Sequence, residues 1–148
     1  CPSLLLGRTF PPRITNSSYC EVNGMTIPEC IAAVDAVKAN PFSEDQKADW
    51  LLGLDLRLLD SFYSGFCETP PDGPNSWPED RNKPLRASGP WEELYTHYLG
   101  AMVDYHLQEL DTYNYGMSLY NELITNYQRS YQRTHQKKNP GGWMHIWC

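Results

Sequence analysis

The chain has 148 residues, 41% of them hydrophobic and 20% charged, and its 18 acidic against 12 basic side chains leave a net charge of −6. That is chain enough for one buried core and too little for two domains of ordinary size, so residues 1–148 read as a single domain. No stretch approaches the roughly 18 consecutive apolar residues of a membrane-spanning helix. The acidic balance argues against a general surface for nucleic acid or anionic membrane, whose affinity draws on clustered Lys and Arg.

Five cysteines, Cys1, Cys20, Cys30, Cys67 and Cys148, are spread along the chain without the CxxC spacing of a structural zinc or redox site. Spacing this wide suits disulfides that staple distant segments, with Cys20, Cys30, Cys67 and Cys148 as the candidates. The odd count leaves one thiol over, assigned to the terminal Cys1, which could link two copies into a disulfide-bonded homodimer. Asn16-Ser17-Ser18 is an N-glycosylation sequon in a Pro- and Ser-bearing stretch. Together these features place the protein outside the cell, and an opening on Cys1 rather than Met is read as a mature form whose leader has been removed.

Residues 1–27, with Pro2, Pro11, Pro12 and Gly24, read as an extended arm. Residues 28–67 read as two helices. The first opens on Thr26 with Glu29 three residues later and Pro28 in the first turn, carries Ile31, Ala32, Val34, Ala36 and Val37, and stops at Asn40-Pro41. Ser43-Glu44-Asp45-Gln46 caps the second, whose apolar positions Trp50, Leu51, Leu54, Leu58, Leu59, Phe62 and Phe66 recur at three and four. Residues 68–89 contain five prolines and cannot sustain a helix or an inner strand. At about 22 residues this is a long loop, expected either to cross over between helices that run the same way or to display Trp77 to a partner.

From residue 90 to about 136 the seam Leu99, Val103, His106, Leu110, Tyr113, Met117, Tyr120, Ile124, Tyr127, Tyr131 keeps heptad phase. Because that phase survives Gly116, one long C-terminal helix is expected, with a turn at Asn114-Tyr115-Gly116 as the competitor. Residues 1–128 hold eight basic side chains against all 18 acids; Arg129, Arg133, Lys137 and Lys138 then make the next ten residues +4. Cations there suit the negative end of a helix. Residues 139–148 form an aromatic tail with Trp143 and Trp147 before Cys148. The expected fold is therefore all-α: a small disulfide-stapled helical bundle with one long C-terminal helix, a long Pro-rich crossover loop, and extended N- and C-terminal arms.

Signatures of chemistry are sparse. There is no GxSxG elbow, no Gly-rich phosphate cradle, and no cysteine in a protease context. None of His97, His106, His135 and His145 pairs at the i, i+4 spacing of a helical zinc motif. Glu93 and His97 share a face with Asp104 two turns along, but a carboxylate metal site needs ligands from several helices, and no ExxH elsewhere completes one. Asp72-Gly73-Pro74-Asn75-Ser76 lacks the closing Glu of a calcium loop. No metal, cofactor or catalytic activity is expected. The leading reading is a secreted, non-catalytic helical protein, a hormone- or cytokine-like ligand or an effector, that binds a receptor or host protein. Its contact residues are expected to be Tyr113, Tyr120, Tyr127 and Tyr131 of the tyrosine row, Trp77, Arg129 and Arg133, since interfaces enrich aromatic residues and Arg. The alternative is an extracellular carrier of a small apolar ligand in a helical cavity lined by some of the nineteen aromatic residues.

Overall fold

The computed structural model describes residues 24–138, and the predicted arm through residue 23, Asn16, Cys1, Cys20, the aromatic tail and Cys148 lie outside the described residues. The described part is all-α: helices α1 (Ile27–Val37), α2 (Glu44–Ser61), α3 (Glu93–His106) and α4 (Leu110–Thr134), with short 3-10 turns at Tyr63–Gly65 and Gly89–Trp91. None of these helices is long and apolar enough to cross a membrane.

The first two helices begin where their capping residues place them. Thr26 Oγ1 accepts from the Glu29 N–H at 3.3 Å while the Glu29 carboxylate accepts from the Thr26 N–H at 3.1 Å, so two otherwise orphaned donors are satisfied reciprocally. Ser43 Oγ does the same for the Gln46 N–H at 3.1 Å, and Glu44 and Asp45 lie at the positive end of the α2 dipole. Between them Asn40 closes the turn, donating to the Asp35 carboxylate and the Lys38 carbonyl and accepting from the Phe42 N–H. The buried Lys47 ammonium on α2 bonds both Asp35 oxygens on α1, at 2.7 and 2.9 Å, and ties the two helices.

The expected single helix from 90 to 136 is two helices. The chain leaves α3 at Leu107, Gln108 takes a left-handed conformation (φ 64°), and Glu109 N–H reaches back to the Asp104 carbonyl at 2.9 Å before α4 begins. No Gly or Pro marks this three-residue break, and it leaves the heptad phase on both sides compatible with one seam. Sequence periodicity therefore runs through it unperturbed. The competing turn at Gly116 is also absent. Gly116 lies in mid-α4 against α3, where an added Cβ would stand 3.3 Å from the Ala101 Cβ, so the missing side chain sets how closely the hairpin packs.

Pairings across the bundle show that sequence neighbours run antiparallel: Lys47 with Asp35, Trp50 with His106 and Asp55 with Tyr95, Tyr105 with Tyr113 and Trp91 with Tyr127. The Pro-rich segment is consequently no crossover. It leaves and rejoins the bundle at one end, climbing α2 far enough for Trp77 Nε1 to bond Asp45 at 2.9 Å and Arg81 to approach Glu44, then descending so that Leu85 N–H bonds the Met25 carbonyl at 2.8 Å. Its buried Leu85 and Ala87 complete the core formed by Ile27, Ile31, Val34, Leu51, Leu54, Leu58, Leu94 and Leu99.

Cys30 corrects a second expectation: it is a free thiol, fully buried between α1 and the rest of the core, and serves as a small apolar side chain rather than a staple. Cys67 is disulfide-bonded. Near it the chain after α4 folds back, with Cys67 N–H on the Gln136 carbonyl at 2.8 Å and Lys138 N–H on the Gly65 carbonyl at 2.9 Å.

Candidate binding site

Two of the residues expected to meet a partner are core. Tyr127 and Tyr131 are 6% and 8% exposed, and their rings pack at 4.9–6.4 Å among Phe62, Tyr63, Phe66 and Trp91 at the end of the bundle where α2 and α4 finish. The Tyr63 and Tyr127 hydroxyls share a hydrogen bond of 2.5 Å. Tyr120 and Tyr113 are half-buried, on Tyr98 at 5.4 Å and on Tyr105 at 5.3 Å. Trp77 is half-buried under its bond to Asp45 and the Arg81 guanidinium 5.3 Å from its ring. Arg129 and Arg133 are exposed near the end of α4. These seven positions do not form one surface.

Burial governs the tyrosine acidities. It pushes Tyr127 up to about 12, with the nearby Tyr131 adding to the rise, and pushes Tyr63 higher still. Tyr120 rises to about 12, again chiefly through burial. An unfolded tyrosine ionises near 10.0, so above that pH the unfolded chain sheds protons that the folded chain keeps, and stability must fall as pH climbs from 10 toward 12. We expect cooperative loss of helical circular dichroism in that window, with phenolate absorbance rising in the same step. A phenolate rise that accounts for all ten tyrosines while the helices stay intact would contradict the burial.

The most buried charged side chain among the described residues is also engaged on both oxygens. Asp55 on α2 accepts from Tyr95 Oη at 2.6 Å, from Arg86 Nη1 at 2.6 Å and from the Arg86 N–H at 3.3 Å, while Arg86 donates onward to the Pro71 and Pro74 carbonyls and to Asn75 Oδ1. Tyr95 Oη accepts from the Ala87 N–H at 3.0 Å. Desolvation raises the Asp55 carboxyl above its ordinary range against the opposing pull of Tyr95 and Arg86. Both oxygens of this carboxylate are engaged, so the cluster pins the loop to the bundle. Among the described residues no three His, Cys, Asp or Glu side chains converge as a metal-binding group.

The feature that remains open runs along α3, from Glu93 to Asp104. α1 and α4 both pack on α3 but scarcely touch each other, and the gap is a groove of about 610 Å³. Val34 and Val37 form one wall, Tyr115, Gly116 and Leu119 the other, and Gly100 and Ala101 of α3 the floor. Its polar groups are few. Lys38 bonds both oxygens of the buried Asp104 at 2.9 and 3.0 Å, and Glu93, Thr96, His97 and Thr112 complete the rim. Val37 and Tyr115 on its walls are 82% and 67% exposed, and at the hairpin turn a separate hollow lined by Tyr105, His106, Gln108 and Leu110 leaves Leu110 58% and Tyr105 51% exposed. Beside them His106 stacks on Trp50 at 4.6 Å and donates from Nδ1 to the Met102 carbonyl.

Most of this site escaped the sequence reading. By sequence Val37 is an apolar position of the first helix and Tyr115 part of the competing turn, and only the contacts of α1 and α4 decide that they are uncovered. One signal was available: Glu93, His97, Gly100 and Asp104 recur at three and four, a polar and small stripe on an otherwise apolar helix. The chain matches no protein family, no curated protein and no solved structure.

Proposed function

We propose that this is an exported, non-catalytic binding protein that acts by covering part of a partner protein, in the manner of a hormone- or cytokine-like ligand or a secreted effector. The observation that supports this reading best is the exposure of Val37 and Tyr115 on the walls of an open groove, with Tyr105 and Leu110 exposed together at the nearby hairpin turn. Exposed apolar side chains that line a groove mark a docking surface, whereas those scattered singly need no explanation. Export is supported by the sequon at Asn16 and the disulfide at Cys67. The contact surface is thereby moved from the tyrosine row to the tip of the α3–α4 hairpin.

The test is a set of variants of the full oxidised chain used to retain partners from tissue or host extract. Replacing Tyr105, Leu110 and Tyr115 together by Ser should abolish retention of whatever the natural chain holds, with the thermal midpoint unchanged; replacing Arg129 and Arg133 by Ala should not. Retention that survives the hairpin-tip variant sinks this placement. A second reading, a carrier of a small apolar ligand, is favoured by the groove volume, which falls within the range of small-molecule pockets. A solvatochromic dye displaced by single-chain lipids would support it.

A further inference from the structure

We infer that the occupant of the α1–α3–α4 groove is a helix of a partner protein, about three turns long, apolar on one face and carrying Lys or Arg along its flanks. This rests on the reading of the hairpin-tip end as the docking surface and names the partner's chemistry. Shape is the first argument. Two helices flanking a third without meeting leave a channel in which a further helix completes the layer, and α1, at 11 residues, fixes the channel at about 16 Å. Gly100 on its floor, where an added Cβ would meet only the end of the flexible Lys38 side chain at 3.6 Å, carries no bulk to hold an incoming backbone away. The apolar walls supply the contacts that a helix-in-groove complex uses, read as anchors at i, i+3, i+4 and i+7.

Charge is the second argument, and it selects the partner's sign. Lys38 is the sole Lys or Arg lining the groove, and both oxygens of Asp104 already engage it. Glu93 on the rim, and Glu109 and Asp111 in and after the hairpin turn, are exposed carboxylates with no Lys or Arg within ion-pair distance among the described residues. A docking helix with acidic flanks would meet these charges unpaired, whereas a basic one is steered by them, and by a chain of net charge −6.

The experiment titrates the full oxidised protein with three synthetic helical peptides of about 14 residues. One carries Leu on one face and Lys on its flanks; in the second, Glu replaces Lys; the third scrambles the Leu–Lys sequence so that no apolar face forms. The Leu–Lys peptide should bind at least about tenfold tighter than either control, a gap of about 1.4 kcal/mol. Glu93→Lys combined with Asp111→Lys should remove most of that preference for Lys over Glu. Ala33→Trp, an exposed position on α1 that lines the groove, should abolish binding of both amphipathic peptides; Val37→Arg, on the same wall, serves if that variant fails to fold. Equal binding of the Lys and Glu peptides overturns the charge assignment and leaves the docking reading standing. Binding of the scrambled peptide as tight as the ordered one, or indifference to both wall variants, shows attraction to an acidic chain and overturns the groove. Should no peptide bind while single-chain lipids do, the occupant is a small molecule and the inference fails.

Discussion

Replacing Arg86 by Ala should lower the stability of this protein by about 3–5 kcal/mol, the usual cost of removing one partner from a buried ion pair. Asp55 is wholly buried and Arg86 nearly so, and the variant leaves a carboxylate in the core with only Tyr95 and one backbone N–H to answer it. The loss has a second component. Arg86 is the hub on which the Pro71 and Pro74 carbonyls and Asn75 converge, and an added Cβ at Gly73 would stand 2.6 Å from its Cγ, so the loop is wrapped around this side chain. Asp55→Ala should cost a similar amount. Tyr95→Phe, which deprives Asp55 and the Ala87 N–H of one partner, should cost about 1–3 kcal/mol. An apolar pair, Asp55→Leu with Arg86→Met, should be less damaging than either single change to Ala, because the Coulomb attraction of a buried pair is largely offset by its desolvation. Denaturant unfolding followed by circular dichroism reads all four. An Arg86→Ala unfolding free energy within about 1 kcal/mol of the natural chain's would mean that the loop is not pinned here.

How much of this was legible in the residues follows a physical division. Helix starts set by local hydrogen bonding, at Thr26 and Ser43, were readable because the cap oxygen and the N–H that donates to it lie within three residues. The Arg86–Asp55 pair was not, since its partners are 31 residues apart and the run Pro84-Leu85-Arg86-Ala87 looks like any polar loop. Asp55 itself read as an outward-facing acid among the amphipathic positions of α2. Gln108 illustrates a different failure. A non-glycine residue in the left-handed region turned the chain where no breaker stood, and the reward is tertiary: the hairpin lets α4 pack along the whole of α3. The groove was illegible for the same reason, because a helix face is free or covered according to its neighbours and not according to its own pattern.

Tyr127→Ala should be the most damaging change in the tyrosine row, at about 3–5 kcal/mol, within the range for truncating a buried large aromatic residue. The ring contacts Phe62, Tyr63, Trp91 and Tyr131, drawn from α2, the two 3-10 turns and α4 itself, so a cavity there loosens four segments at once. Tyr127→Phe separates the ring from the hydroxyl. It keeps the packing but leaves the Tyr63 hydroxyl, 1% exposed, without its partner, and should cost about 1–3 kcal/mol. Tyr115→Ala supplies the contrast: with its side chain in solvent at the groove mouth it should change stability by no more than about 0.5 kcal/mol. The two tyrosines, twelve residues apart on one helix, thus divide the labour of α4. The end near the hairpin turn leaves Tyr115 in solvent, and the distal end spends its rings on the junction with α2, a difference that heptad spacing alone does not reveal. Equal, small effects at Tyr127 and Tyr115 would show that the distal rings are not core.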